Sequence, residues 1–383
     1  MRTWIITLKN KAFLHSTAVL IGTMVGVGIF GIPLAFAKAG FLVGLGFMVF
    51  AAMVTGLFTL LFAEVVLRTE GRHQLVGYTG IYLGPFYKKI IFLANTIGIY
   101  GALLAYIIVT GNFLNNILSH YIAATPETYS IVFAVLASLV VYTGLRTGVV
   151  VEFGLTLLFM TVMAMIFGVG IGKIDMANFS GFNAMYWFLP YGVLLFAFGG
   201  LSSVPLQREI LRGQEKLLKP SILTAVVVVS IMYLLFAVTV VGISGAGTTD
   251  DAISGLLGVL GPQIIFLGSL FGVLAISTSF LMGGLALQDI FLLDYKLPRV
   301  SAWLLTVVPP LVMFWGGMRN FVDIIGLVGS VAIGIESIIF VFLLRKSRHH
   351  GQREPEFHLK VPQWILYLFI PIFLAGVIYD LIH

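Results

Sequence analysis

Long apolar runs separated by short polar interruptions dominate the chain. A bilayer core of about 30 Å is crossed by about 20 residues at 1.5 Å each. Runs of that order fall at 13–37, 41–67, 89–118, 130–146, 149–171, 184–206, 219–243, 261–288, 300–316, 321–344 and 362–382. This pattern predicts an all-α membrane protein of about eleven transmembrane helices, with the fourth and ninth short. The segment 68–88, RTEGRHQLVGYTGIYLGPFYK, is too polar to span, and its Gly/Tyr/Leu pattern suits a short amphipathic helix at the inner face. Residues 244–260, with Asp250 and Asp251, are expected to form a helical lid on the outer side.

Composition agrees with this setting. The chain is 59% hydrophobic and 10% charged, against about 25% charged residues in soluble domains, and its mean hydropathy is +1.06. It contains no cysteine, which removes disulfides and thiolate metal sites from consideration. The basic N-terminal stretch MRTWIITLKNKAFLHS precedes a run without a small-residue cleavage pattern and is read as retained.

Charge then orients the spans. With a cytoplasmic N-terminus, only Lys38, Lys173 and Arg319 of the 22 Lys and Arg residues fall outside, a strong positive-inside bias. The net charge of +6 therefore reports topology. No basic soluble face is offered to nucleic acid. The expected location is the cell (plasma or inner) membrane, with the C-terminus outside.

Two apolar spans carry helix breakers. GTMVGVGIFGIP at 22–33 places Gly22, Gly26, Gly28 and Gly31 ahead of Pro33. Gly22 and Gly26 alone would suit close helix packing, but packing does not require a proline that removes a backbone donor. A broken helix fits better, and at membrane depth a break is tolerated only where the freed groups face a cavity, a ligand or protein. FAFGGLSSVP at 196–205 repeats the feature five spans later. Paired breaks in corresponding spans point to a transporter site. The division that follows is a cytoplasmic tail at 1–12, a first five-helix repeat at 13–171, an inverted second repeat at 184–344, a basic cytoplasmic loop at 345–361 and an extra helix at 362–382.

These two motifs, the five-plus-five arrangement and LAISTSFLMGGLALQDIFLLD in the eighth span resemble the amino acid–polyamine–organocation superfamily, with its leucine-transporter-type fold. LLFAEVVLRTEG at the end of the second span and the TSFL…D pattern of the eighth are most similar to the amino acid/auxin permease branch, including the bacterial aromatic amino acid permeases. The resemblance implies that amides of Gly26, Val27 and Gly28 hold a substrate carboxylate. Carbonyls of Thr23, Met24, Phe196, Ala197 and Phe198 would take the ammonium, in accord with half-helix dipoles. Met24, Ile29, Tyr106, Phe196 and Phe198 would line the side-chain pocket, favouring a neutral, bulky amino acid.

For the coupling ion, A-x-x-T-S at Ala275, Thr278 and Ser279 matches the sodium-site segment of this fold. Carbonyls of Gly22 and Val25 would complete five oxygens for Na⁺. Ser and Thr in membrane helices otherwise bond back to their own turn. In proton-coupled relatives a fifth-span lysine can occupy this position. The fifth span here has no mid-span lysine, and Lys173 lies at its outer end, which favours sodium. Against this, the aromatic permease branch is regarded as proton-driven. Intramembrane carboxylates are the alternative carriers: Glu336 is the deepest, Glu64 lies four residues before Arg68 as an ion pair would, and Glu152 is interfacial. Asp289 closes the eighth span among charged loop residues.

Enzymatic readings are disfavoured. GISG at 242–245 resembles a rhomboid-type serine motif, but the next histidine after Ser244 is His349 in a cytoplasmic loop, and no HExxH occurs. A channel would more often show charged rings or carbonyl filters. The sequence therefore predicts an ion symporter of neutral, hydrophobic or aromatic L-amino acids, with helices one, two, six and seven rocking against the rest. Its expected partners are the amino acid, the lipid bilayer and Na⁺ or H⁺, with no other cofactor; a non-transporting sensor is the alternative.

Overall fold

The computed structural model describes residues 10–144 and 149–382, excepting the side chains of 149–153, 293 and 294. The expected charges at Arg2, Lys9 and Arg146, and the side chain of Glu152, lie outside the described residues. All regular structure among the described residues is helical. In order, the helices are α1 (Lys11–Met24), α2 (Gly28–Ala39), α3 (Phe41–Arg68), α4 (Leu75–Leu83), α5 (Pro85–Leu118), α6 (Pro126–Thr143), α7 (Val149–Gly170), α8 (Leu189–Ala197), α9 (Val204–Ile210), α10 (Leu218–Ser244), α11 (Leu257–Leu260), α12 (Pro262–Asp289), α13 (Arg299–Trp315), α14 (Phe321–Leu327), α15 (Ile333–His350) and α16 (Gln363–Ile382).

Nine helical stretches among the described residues are long and apolar enough to cross a bilayer, and α1 with α2, bent by 52°, makes a tenth. The one remaining expected span, the ninth, is α13, an apolar helix of 17 residues. In hydrocarbon only a helix satisfies its own backbone groups, so apolar runs of this length become helices whatever their intrinsic propensity. Their starts are set locally. Gly84, Thr125 and Gly261 precede Pro85, Pro126 and Pro262, and proline at a first helical position costs no hydrogen bond.

The short fourth and ninth spans are neighbours. In α6, of 18 residues, the Ser138 carbonyl accepts from Trp303 Nε1 of α13 at 2.7 Å. The Tyr142 carbonyl at the end of α6 accepts from Arg299 Nη2 at 2.6 Å. Pro309 and Pro310 lie inside α13.

Small residues set the crossing of the sixth and tenth spans. A Cβ on Gly192 would lie 2.1 Å from the Gly326 carbonyl oxygen, and one on Gly329 only 1.8 Å from that of Gly192. These backbones meet directly, as small residues allow between membrane helices.

Segment 68–88 contains the short helix α4, with Leu75, Val76, Tyr78 and Thr79 buried. Residues 244–260 form two 3₁₀ turns, Gly245–Gly247 and Ser254–Leu256, and the single turn α11. Asn116 of α5 fastens them by donating to Ser254 Oγ at 3.0 Å and Ser269 Oγ at 3.2 Å. Within this segment Asp251 is buried and accepts from the Ser254 amide at 3.0 Å and Thr249 Oγ1 at 2.8 Å.

The loop after α15 docks onto the end of α3. The Arg68 carbonyl accepts from the amides of Gln352 and Arg353 at 2.8 and 3.2 Å. The fully buried Glu64 carboxylate receives Arg68 Nε at 3.1 Å, Arg348 Nε and Nη2 at 3.0 and 2.9 Å, and the Leu359 amide at 3.3 Å. Glu64 is thus the centre of a structural ion network.

Candidate functional site

Both expected breaks are present, and the first is narrower than its motif. Helix α1 ends at Met24 and α2 begins at Gly28. The Val25 amide closes the last turn onto the Ile21 carbonyl at 2.7 Å, but the Gly26 amide turns onto Met24 at 2.9 Å instead of continuing to Gly22. That withdraws the usual donor from Gly22. Val27 precedes α2 without a side-chain cap, so the first amides of α2 depend on a partner from elsewhere.

Gly31 and Pro33, expected in the interruption, lie inside α2. Gly31 answers to packing: a Cβ there would sit 2.5 Å from Ile325 Cδ1. Pro33 is accommodated past the first turn and withholds the donor that Ile29 would otherwise receive.

The second break runs through residues 198–200, between α8 and the 3₁₀ turn Leu201–Ser203 that leads into α9. The Gly199 amide closes onto Phe196 at 3.0 Å, and Ser203 Oγ donates to the Gly200 carbonyl at 2.8 Å. Pro205 falls in the first turn of α9, where it removes no needed bond.

The two breaks touch. A Cβ on Gly28 would lie 2.7 Å from Ala197 Cα. Tyr233 of α10, fully buried, joins them: its hydroxyl lies 2.7 Å from the Met24 carbonyl and 2.8 Å from that of Ala197. Sequence reasoning missed this residue; its only signal is a lone tyrosine within the aliphatic run VVVVSIMYLLFAV.

A cavity of about 710 Å³ adjoins the breaks. Thr23, Met24, Gly26, Val27, Gly28, Tyr106, Phe196 and Phe198 border it, as expected. Ile29 and Ala197 do not: both are buried, Ile29 by the turn that starts α2 and Ala197 against Gly28. The carbonyls of Met24 and Ala197, expected to receive an ammonium, are engaged by Tyr233 instead. Thr23, Phe196 and Phe198 remain as carbonyl candidates at the cavity. The cavity continues to the exposed residues Arg72 and Gln74 ahead of α4, and to Asp289 at the end of α12.

The five expected sodium ligands, Gly22, Val25, Ala275, Thr278 and Ser279, also border the cavity. Thr278 Oγ1 and Ser279 Oγ both donate to the Ala275 carbonyl, at 2.9 and 3.1 Å. Their oxygens retain acceptor lone pairs beyond these bonds. Ser279 Oγ and Tyr106 Oη converge on Gly26, lying 3.5 and 3.7 Å from where its Cβ would be. Thr156 Oγ1 of α7 lies 3.1 Å from the corresponding point on Gly22.

The carboxylate candidates separate. Glu336 borders the cavity, is 9% exposed, and accepts from Asn95 Nδ2 at 3.2 Å. Glu64 does not border it and is committed to two arginines. Lys173 does not border the cavity and donates to the Val259 carbonyl of the lid.

Known proteins resemble the chain along most of its length. The profile of the tryptophan/tyrosine permease family matches residues 9–383. The chain is 24% identical over 363 residues to the tyrosine-specific transport system 1 of Haemophilus influenzae, covering 87% of this chain and 88% of that protein. Among solved structures, MhsT in complex with L-phenylalanine matches with a TM-score of 0.64 at 14% identity, over 96% of this chain and 99% of MhsT. Mhp1, a nucleobase-cation-symport-1 family transporter in a closed conformation with bromovinylhydantoin bound, matches with a TM-score of 0.68 at 11% identity, over 97% and 90% of the two chains. At these identities the likeness to both structures is one of fold.

Proposed function

The chain belongs to the tryptophan/tyrosine permease family, and from that premise we propose that it is a secondary active transporter of neutral aromatic L-amino acids, coupled to Na⁺ or H⁺. The observation that carries this reading is the meeting of two interrupted helices at one cavity, with the uncapped start of α2 beside Phe196, Phe198 and Tyr106. Backbone amides and carbonyls there meet a zwitterion's two charges, and aromatic walls suit its side chain. The named relative carries tyrosine and MhsT binds phenylalanine, in keeping with this substrate class.

On this reading 13–171 and 184–344 are inverted five-helix halves, with 362–382 outside the repeat. Segment 72–77 and Asp289 belong to the cytoplasmic face by charge bias, so the cavity corresponds to an inward-open state of an alternating-access cycle.

A thermal-shift screen of the twenty amino acids on the purified protein tests the substrate class. L-tyrosine, L-tryptophan or L-phenylalanine is expected to stabilise it in proportion to occupancy, and charged amino acids are not. Stabilisation by charged amino acids alone would overturn the reading. Binding without saturable uptake in proteoliposomes would favour the sensor alternative.

Two coupling readings remain, each with its own observation. The hydroxyl and carbonyl group around Ala275 supports Na⁺. Glu336 on the cavity wall, with Asn95 as its hydrogen-bond donor, supports H⁺, because an ionised carboxylate is expensive within a bilayer. Under sodium coupling, replacing Thr278 and Ser279 together by alanine should lower sodium-driven uptake at least about tenfold. Under proton coupling, Glu336→Gln should abolish uptake driven by a pH gradient and leave sodium without effect. Flux in imposed gradients of each ion separates the two.

A further inference from the structure

We propose that Tyr233 is a positioning residue for the transported amino acid: its hydroxyl holds the end carbonyls of both half-helices, Met24 and Ala197, away from the cavity and fixes the spacing between the two breaks. The inference rests on the proposed reading of the cavity as the amino acid site.

The geometry is specific to the interruptions. Met24 is the last residue of α1 and Ala197 the last of α8, so their carbonyls are ones that a continuous helix would have bonded within itself. An orphan carbonyl at membrane depth needs a donor. One phenol supplies both, at 2.7 and 2.8 Å. A phenol carries a single proton, so its O–H serves one carbonyl fully at any instant and turns between them. The Met24 carbonyl also accepts from the Gly26 amide at 2.9 Å, which keeps it satisfied when the phenol turns to Ala197. The first and sixth spans are thereby linked through a group on the seventh.

The same residue reaches the cavity wall. The Tyr233 ring packs edge-on against Phe198, with centroids 5.0 Å apart, and Phe198 borders the cavity. The hydroxyl therefore sets the distance between the uncapped amides of α2 and the carbonyls at the second break, which a zwitterion must bridge. Displacements of about 1 Å in such a site cost about a hundredfold in rate.

The test is Tyr233→Phe in the full chain, reconstituted in proteoliposomes. The ring and its packing on Phe198 remain, and only the hydroxyl is lost. The KM for aromatic amino acid uptake is expected to rise about tenfold, the scale of an unsatisfied buried polar group. Amide exchange in segments 22–30 and 195–203 of the substrate-free protein is expected to accelerate together. A purely structural tyrosine would lower the melting temperature and the amount of folded protein while leaving KM unchanged, and that result overturns the proposal. If the wild-type protein shows no saturable aromatic amino acid uptake but both segments still loosen in the variant, the clamp stands and the substrate reading fails. Should Tyr233→Phe not fold, a fluorinated tyrosine placed at 233 keeps the shape and strengthens the donor. It should lower KM, and an unchanged KM in that protein overturns the proposal.

Discussion

Gly28→Ala should reduce uptake by at least about a hundredfold while leaving helix content intact. The added methyl would sit 2.7 Å from Ala197 Cα and 2.9 Å from Ala197 Cβ, a contact with backbone that no rotamer change relieves. Ordinary carbon–carbon separations are about 3.5–4.0 Å, so the breaks must move apart by about 1 Å. The amides of α2 then lose their register with the carbonyls of the second break, and positional errors of that size cost about two orders of magnitude. Gly46→Ala is the control, because nothing lies within 4 Å of a Cβ at that position. Initial uptake rates in proteoliposomes, normalised to folded protein, check the pair. Equal rates for Gly28→Ala and the wild type would refute the contact as a determinant of function.

Glu64→Ala carries the largest expected loss of stability. The carboxylate is fully buried and pairs with Arg68 and Arg348 at once, while the side chains of those arginines are only 16% and 19% exposed. Removing one partner of a buried ion pair typically costs about 3–5 kcal/mol, because the remaining charge is left uncompensated. The loss should appear as a lower melting temperature in detergent. Faster proteolysis should follow within 351–361, since the Leu359 amide and Arg348 both anchor that loop to Glu64. Glu64→Asp should recover part of the loss. An unchanged melting temperature and an intact loop in Glu64→Ala would show that the network contributes nothing.

The spans were legible because hydrocarbon imposes one rule on any apolar run of sufficient length. The stretches expected at 41–67 and 362–382 are the helices Phe41–Arg68 and Gln363–Ile382. Where local chemistry adds a signal beyond hydropathy the edge moves: the third span starts at Pro85 rather than 89 because Gly84 and Pro85 define its first turn. Glycine and proline located the breaks but did not size them. Gly31 looks the same in sequence whether it frees the backbone or admits Ile325, and Ile325 is remote along the chain. Tyr233 and Arg348 were missed for the same reason. Tyr233 serves Met24 across 209 positions and Arg348 serves Glu64 across 284, and no local pattern encodes such pairings. The Glu64–Arg68 ion pair was legible because its two residues lie one helical turn apart.

The adjoining short helices have a consequence for the surrounding lipid. At 1.5 Å per residue, the 17 residues of α13 and the 18 of α6 measure about 25 and 27 Å, against a hydrocarbon thickness of about 30 Å. Their lipid-side residues, among them Leu304, Val308 and Leu136, remain exposed along that length. The flank they form is therefore short of the hydrocarbon thickness, and acyl chains there must shorten or tilt. The annulus around the protein is lopsided, and thinner bilayers accommodate that flank with less deformation.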